Sequence, residues 1–345
     1  MLLASMISLQ LRIQLRLAWD VIRTVPPGRL LNYATNRWVP RSEVLDGNRS
    51  GPRIFCCLVT RRCNLKCPWC LTPAIHDKAF DLTPEVLDRF LTHPAVRNCA
   101  LVAFSGGEPL LNRDLATMVA RTRSHGHLAS MTTNGTNLES QIADLKRAGI
   151  NMINVSVYNT NFSGLAGTLP RINQTLRVRT NKIVLRTVLE ENPGEIEEAI
   201  RMSMDTGCFG TVLFLCLPHD EGLENVIYDD HGAYLDFKER IRAKYPRYPI
   251  SWPQPAKRNL RSVDKLCRFP WSTLIADAHG NLGPCCNYYP DPANSYGNLQ
   301  EDGSAEVLNG PLFKELRRGL LSPDPEFPAC CKGCYAMSDP WYANQ

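Results

Sequence analysis

The stretch Arg62-Cys63-Asn64-Leu65-Lys66-Cys67-Pro68-Trp69-Cys70 directly follows an apolar run at residues 54–59. Its cysteines have the spacing Cys-x3-Cys-x2-Cys, so three thiols share one short loop after a predicted strand. Three thiolates leave a four-iron cluster one protein ligand short. An iron without a protein thiolate can bind and activate a small molecule, as a catalytic zinc does at its open position. The loop therefore predicts an iron–sulfur site that performs chemistry.

A second motif, Ser105-Gly106-Gly107-Glu108-Pro109, ends the apolar run at residues 100–104. Together the two motifs resemble those of the radical SAM superfamily, and the resemblance covers most of the chain. It implies that Cys63, Cys67 and Cys70 hold a [4Fe-4S] cluster whose open iron is chelated by S-adenosylmethionine (SAM). It also implies that residues 106–109 hold the methionine amino end, where glycines let the backbone come close to a ligand. In this family one electron from the cluster splits SAM, and the resulting 5'-deoxyadenosyl radical abstracts a substrate hydrogen.

Two other interpretations of the cysteine loop are a zinc knot and a group of buried thiols, which are common in protein cores. The order strand, cysteine loop, helix, strand, Gly-Gly-Glu-Pro is a joint match, and it favours the iron–sulfur interpretation. Trp69 precedes the third cysteine. The resemblance implies that it lies beside the adenine of SAM, and the alternative is a packing role.

Length and composition indicate a protein with one large domain and a small one, since the chain has 345 residues of which 44% are hydrophobic. Several of its 14 cysteines are closely spaced and no signal peptide precedes them, which predicts metal-bound thiolates in a reducing cytoplasm. The net charge of +5 is spread along the chain, whereas nucleic-acid binders concentrate basic residues on one face. We therefore expect no nucleic-acid partner.

Short apolar runs recur along the chain and are mostly continuous, which is typical of parallel strands buried on both faces. They lie at residues 54–59, 100–104, 128–133, 152–157, 183–189 and 211–217. Helical segments separate most of them, so the pattern predicts an α/β protein with right-handed crossovers. Six such units match the partial (β/α)6 TIM-like barrel of the radical SAM family. We expect a helical extension at residues 1–50, the barrel at 51–244, a Pro- and Arg-rich linker at 245–262 and a small domain at 263–345.

Active sites of such barrels gather at the carboxyl ends of the strands. Polar residues there include Asn134 after the third run, Ser156 at the end of the fourth and Arg186 within the fifth. The family resemblance implies that side chains from the fourth and fifth strands bind SAM, which gives Ser156 and Arg186, and we assign Asn134 as a third candidate SAM contact. The alternative is ordinary hydrogen bonding at a strand end.

The sequence of the small domain predicts a hairpin near His279-Gly280, and a Cys-x2-Cys pair follows later in the chain. This arrangement resembles the SPASM and twitch extensions that hold auxiliary clusters. It implies one auxiliary [4Fe-4S] cluster, and the assigned ligands are Cys267, Cys285, Cys331 and Cys334. Cys331 is preferred to Cys330 because only Cys331 has the two-residue gap before Cys334. A zinc site with the same four ligands is the alternative, since either metal suits cysteine thiolates.

Two further cysteines are candidates for a different role. Cys216 lies at the end of the sixth run, and Cys286 follows an assigned cluster ligand. In radical SAM epimerases a thiol donates a hydrogen atom to the substrate radical, so either residue is a candidate hydrogen donor. The simpler interpretation is that both are core or cluster-side cysteines.

The N-terminal stretch at residues 1–25 is apolar but contains too many polar groups for a membrane span of about 20 residues. A helix packed across the protein's own barrel is the first interpretation. A peripheral helix that contacts a membrane surface or a partner is the alternative.

The sequence predicts a radical SAM oxidoreductase or epimerase that acts on a small polar metabolite, with a sugar or amino sugar favoured. The argument is partly negative, because the roughly 50 residues before the first strand are too few for most leader-peptide-binding domains. Modification of a ribosomally made peptide is the alternative, and a non-catalytic metal-binding interaction protein is a third. The resemblance also implies an electron donor such as flavodoxin or ferredoxin.

Overall fold

The computed structural model describes the backbone at residues 19, 22–23, 25–35, 51–67, 70, 77–157, 161–176, 181–187, 193–208, 210–215, 226–258, 267–285, 288–290, 292–322, 331 and 333–337. For residues 32–35, 176, 181–187 and 193 the side chains are not described. Of the predicted site residues, Trp69, Cys216 and Cys286 lie outside the described residues.

The described strands form a single sheet with the order β7-β6-β5-β4-β3-β2-β1-β8-β9. The strands are β1 (Ile54–Leu58), β2 (Leu101–Ser105), β3 (Leu128–Thr133), β4 (Met152–Val157), β5 (Asn181–Thr187), β6 (Gly210–Leu215), β7 (Ile250–Ser251), β8 (Thr273–Ala276) and β9 (Leu282–Gly283). The first six match the predicted runs to within two residues at each end. They are parallel and adjacent in chain order, which confirms the predicted α/β fold.

One helix precedes the first strand, and helices separate most of the successive strands. They are α1 (Pro27–Thr35), α2 (Pro84–Thr92), α3 (Leu115–Ser124), α4 (Leu138–Ala148), α5 (Phe162–Leu176), α6 (Pro193–Asp205), α7 (Gly232–Lys244), α8 (Phe269–Ser272) and α9 (Pro311–Leu321). The sequence explains several of their ends. The Thr83 side chain caps α2 by accepting from the Val86 N–H at 3.3 Å, and Gly149 ends α4 with φ of +88°.

Beyond the six predicted strands, the sheet continues on both sides. In the segment predicted as a linker, β7 pairs with β6. On the other side, β8 runs parallel to β1 and forms an antiparallel hairpin with β9, as expected near His279-Gly280. The chain that follows the linker therefore joins the same sheet beside the strand that leads into the cysteine loop.

The two faces of the sheet are packed differently. On the outer face, Phe55 and Phe90 pack edge to face with ring centroids 6.2 Å apart, within the main hydrophobic core between strands and helices. On the opposite face of β1, Cys56 and Leu58 pack with Ile275 of β8, and Tyr289 lies against them. We call this second face the lumen face.

The N-terminal segment packs at the amino ends of the strands. Val25 is buried against Leu101 and Leu128, and the Arg29 guanidinium donates to the His125 carbonyl at 2.7 Å. Most of the predicted helix at residues 1–25 lies outside the described residues. In the part of the chain that the structure describes, no helix is long and apolar enough to cross a membrane.

Candidate functional site

The cysteine loop and the Gly-Gly-Glu-Pro segment cross with their backbones in contact. The Gly107 N–H donates to the Thr60 carbonyl at 2.8 Å, and the Glu108 N–H donates to the Arg62 carbonyl at 2.8 Å. A Cβ on Gly106 would lie 2.3 Å from the Thr60 carbonyl oxygen, and one on Gly107 would lie 2.2 Å from that of Arg62. Only glycine fits at both positions, because the neighbouring loop occupies the space of a side chain.

Arg62 fixes the start of the cysteine loop, a role that the sequence analysis missed. Its guanidinium pairs with Asp81 and also donates to the Leu111 carbonyl at 2.6 Å. The Thr60 hydroxyl donates to the same Asp81 carboxylate. The loop is therefore tied to the segment before α2 and to the segment after Pro109.

Asn64, inside the cysteine motif, ties the loop to the end of β3. Its carbonyl oxygen accepts from the Asn134 side-chain amide at 2.8 Å, and its own amide donates to the Thr136 hydroxyl at 2.8 Å. Asn134 was predicted to contact SAM, and the structure places it directly beside the cysteine loop. Because both ends of the Asn64 amide are used, the loop has a fixed position over β3.

Glu108 is almost fully buried and connects the ends of β2 and β3. Its carboxylate accepts from the Thr133 hydroxyl at 2.6 Å, the Asn134 N–H at 2.7 Å and the Leu110 N–H at 3.1 Å. Burial raises the pKa of the Glu108 carboxyl above its usual range, although these three donors act in the opposite direction.

Ser156 lies at the carboxyl end of β4 and is buried. The Asn161 side chain donates to the Ser156 carbonyl at 2.9 Å and to the Asn134 carbonyl at 2.8 Å, so it holds the ends of β3 and β4 together. Arg186 lies in β5 opposite Phe214 of β6, and its side chain is outside the described part. The structure thus gathers residues 106–109, Asn134 and Ser156 at one end of the sheet.

The strand register assigns the lumen face. Leu58, Ser105, Thr132 and Asn154 occupy one row across β1 to β4, and Cys56, Ala103, Ser130 and Met152 occupy the next. On β6, Val212 and Phe214 are half-buried on the same face. On β5 the register places Lys182 opposite Asn154 and Arg186 opposite Phe214, so these two positions belong to the lumen face as well.

The three loop cysteines are half-buried. Cys63 Sγ accepts from the Leu65 N–H at 3.4 Å, and burial raises the pKa of its thiol. Among the described residues, no three His, Cys, Asp or Glu side chains already enclose a common metal position. The donor set nevertheless suits a [4Fe-4S] cluster, because three soft thiols stand on one short loop anchored by Arg62 and Asn64.

The four predicted auxiliary ligands come from separate places in the chain but pack on the same hydrophobic core. Cys267 precedes α8, Cys285 follows β9, and Cys331 and Cys334 belong to one turn in which the Cys334 N–H donates to the Cys331 carbonyl at 3.2 Å. Tyr335 packs edge to face against Phe214 with ring centroids 6.5 Å apart. This contact holds the last cysteine turn against β6, and an all-thiol set suits an iron–sulfur cluster. The individual ligand assignments stay predictions.

Comparison with known proteins agrees with this arrangement. Residues 57–227 match the Radical SAM superfamily, and residues 267–335 match SPASM, an iron-sulfur cluster-binding domain. A GTP 3',8-cyclase of Caulobacter vibrioides is 33% identical over 294 residues, which cover 76% of this chain and 78% of that protein. A PqqA peptide cyclase of Gluconobacter oxydans is 24% identical over 309 residues, or 85% of each chain.

Among solved structures, Streptococcus suis SuiB bound to its precursor peptide SuiA superposes with a TM-score of 0.61, at 14% identity, over 84% of this chain and 71% of that chain. This likeness shows the fold alone. The chain belongs to the radical SAM superfamily and has a C-terminal SPASM domain. It is therefore a radical SAM enzyme that uses SAM and two [4Fe-4S] clusters.

Proposed function

We propose that this radical SAM enzyme modifies a peptide. The observation that carries the proposal is the likeness to the PqqA peptide cyclase, which extends over 85% of both chains and is therefore longer than the barrel match at residues 57–227. The SuiB fold, which has been seen with a bound precursor peptide, is consistent with this substrate class. The sugar or amino sugar favoured by the sequence analysis has no support in these comparisons, and the peptide alternative fits better.

The lumen face supports a peptide substrate. Its described side chains are hydroxyl, amide, aliphatic and aromatic groups, among them Ser105, Asn154, Met152 and Phe214. Such groups can pack against peptide side chains and bond to peptide amides, as in pockets with few placed polar groups.

The proposed reaction is an oxidative ring closure or cross-link within the peptide. When bound, the first cluster and SAM supply a 5'-deoxyadenosyl radical that takes one hydrogen atom from the substrate. The lumen face would orient the peptide, and the carboxyl ends of β2 to β4 would hold SAM above it. Four cysteine ligands leave the auxiliary site no open iron for substrate, so its proposed role is to accept the electron that the substrate gives up as the ring closes, while the proton of the second lost hydrogen passes to solvent.

A second candidate is a nucleotide substrate. The relative with 33% identity is a GTP 3',8-cyclase, and this observation alone favours a purine nucleotide. Under either candidate we propose a flavodoxin or ferredoxin as the electron donor and the cytoplasm as the compartment, because thiolate clusters need a reducing environment.

Hydrogen transfer from the substrate separates the two candidates. The reduced enzyme is incubated with SAM and either a deuterated peptide encoded by a short reading frame beside its gene or deuterated GTP. We expect deuterium in 5'-deoxyadenosine only with the peptide, and a peptide product that has lost two hydrogen atoms. Deuterium transfer from GTP, with none from the peptide, would replace the proposal by the second candidate.

A further inference from the structure

Arg61 lies between the two cysteine-bearing parts of the enzyme. It follows Thr60 at the end of β1 and precedes Cys63 by two residues. Its guanidinium carbon is 4.6 Å from the ring centroid of Tyr289 and 5.2 Å from that of Phe80. Tyr289 follows Cys285 by four residues, so one cation touches the barrel and the SPASM domain.

The Arg61 cation lacks an ionic partner within the described part of the chain. Its Nε is buried without a hydrogen bond there, and none of the described ion pairs includes it. The adjacent Arg62 differs, because Asp81 and the Leu111 carbonyl satisfy its guanidinium. A partly buried cation without an anion is costly, and the faces of two aromatic rings compensate only in part. The local structure therefore leaves positive charge in excess beside the cysteine loop.

The anion that would best balance the positive charge of Arg61 is a thiolate-bound cluster. Such clusters are negatively charged and become more so on reduction, and nearby charges and hydrogen bonds set their potentials. The Cα atoms of Arg61 and Cys63 can be at most about 7 Å apart. At a separation of roughly 10 Å and an effective dielectric constant of about 20, one charge changes a one-electron equilibrium about tenfold.

We propose that Arg61 is a positioning residue that raises the reduction potential of the cluster held by Cys63, Cys67 and Cys70. Phe80 and Tyr289 hold the guanidinium in place, so the SPASM domain contributes to the reactivity of the first cluster through Tyr289. The one electron comes from the external reductant. The inference rests on family membership and on these contacts, and it does not depend on whether the substrate is a peptide.

The test is an anaerobic redox titration followed by EPR, in which the signal that SAM perturbs reports the cluster with the open iron. We expect Arg61→Gln to lower the midpoint potential of this signal by the equivalent of about a tenfold change in the reduction equilibrium, or about 59 mV for one electron. Arg61→Lys should stay close to the wild type because it keeps the charge. Arg147→Gln removes the same charge from an exposed position at the end of α4, and it should not shift the potential.

Iron content and thermal unfolding establish that each variant is loaded and folded. Where Arg61→Gln does not retain its cluster, Phe80→Leu provides the same test, since it removes one of the two rings and should lower the potential by a smaller amount. An unchanged potential in a loaded Arg61→Gln or Phe80→Leu enzyme overturns the proposal. An equal fall of the midpoint potential in Arg61→Lys and Arg61→Gln also overturns it, because that result would reflect packing and not charge.

Discussion

Gly106 and Gly107 are the residues at which the two motifs of the site meet. Family resemblance implied that they approach the methionine end of SAM, and this remains a prediction. The structure adds a reason that needs no ligand, since the Thr60 and Arg62 carbonyls occupy the space where their side chains would be. A substitution there should disturb the cysteine loop itself.

Gly107→Ala should therefore destabilise the apoprotein by about 1–3 kcal/mol or more, since the new methyl group meets backbone that has little room to move. Urea unfolding monitored by circular dichroism measures this change. Gly167→Ala on the exposed side of α5 is the matched control, because nothing lies within 4 Å of its new Cβ. The control should be more stable than wild type by about 0.5–1 kcal/mol. Equal stability of the two variants would contradict the crossing described above.

Glu108 predicts a pH effect on stability. Burial raises the pKa of its carboxyl in the folded protein, so the folded state binds the proton more tightly than the unfolded chain does. The free energy of unfolding contributed by this residue is then greatest at low pH. It falls as the pH rises from the unfolded pKa, about 4.3, through the raised folded pKa, and is constant above it.

Glu108→Gln removes this titration. It also replaces one acceptor oxygen by an NH2 donor, so either the Asn134 N–H faces another donor or the Thr133 hydroxyl is poorly bonded, and the free energy of unfolding falls by about 1–3 kcal/mol. Urea unfolding of both apoproteins between about pH 4 and pH 7 gives their difference in stability. We expect the advantage of the wild type to shrink as the pH rises. An advantage that grows with pH would mean that the three hydrogen bonds outweigh burial.

At the level of elements, the two predicted cluster sites are built differently. The first uses one loop after β1, whereas the auxiliary site combines the chain before α8, the end of β9 and the turn at residues 331–334. A site on one loop depends on local anchors such as Asn64. A site that joins three segments depends on the packing of all of them.

Iron analysis tests the ligand assignment of both sites. After anaerobic reconstitution we expect about eight irons per chain. Replacing Cys63, Cys67 and Cys70 together by Ala should remove about four and spare the rest, and replacing Cys331 and Cys334 should remove the other four. Cys208→Ala is the control, because Cys208 is a buried core cysteine and should leave the iron content unchanged. Zinc in place of iron at the second site would favour the alternative metal.

The whole molecule combines an open sheet, a loop cluster site and a SPASM domain that extends the same sheet. Because the open iron can chelate SAM without substrate, the reduced enzyme should form 5'-deoxyadenosine slowly on its own. Chromatography of the products measures this rate. Cys67→Ala should abolish it and Cys334→Ala should spare it. A fully reconstituted wild type that forms no deoxyadenosine under strong reductant would contradict these roles.

Running the reaction in heavy water distinguishes oxidation of the substrate radical from donation of a hydrogen atom to it by a thiol. Ring closure in the proposed substrate leaves no solvent deuterium at the reacting carbon. A thiol donor would introduce deuterium through its exchangeable S–H, as expected if Cys216 or Cys286 acts as in epimerases. Mass spectrometry of the product decides between these outcomes. Deuterium that disappears in Cys216→Ala or Cys286→Ala, while remaining in Cys208→Ala, would replace ring closure by epimerisation.

Short-range signals in the sequence were enough for the main elements of this protein. The continuous apolar runs predicted six parallel strands within two residues, and the local residues Thr83 and Gly149 explain two of the helix ends. The two motifs indicated the family, which the comparisons confirmed. These signals are local because side-chain burial, capping and thiol spacing each depend on residues close in the chain.

Tertiary structure alone decided which distant residues meet. The pairing of β8 with β1, the approach of Tyr289 to Arg61 and the contact of Tyr335 with Phe214 join residues separated by more than a hundred positions. The steric role of Gly106 and Gly107 also depends on a loop more than forty residues earlier. No periodicity or spacing in the sequence indicates such contacts, because each depends on which strands pair and on where the loops lie once the whole sheet has formed.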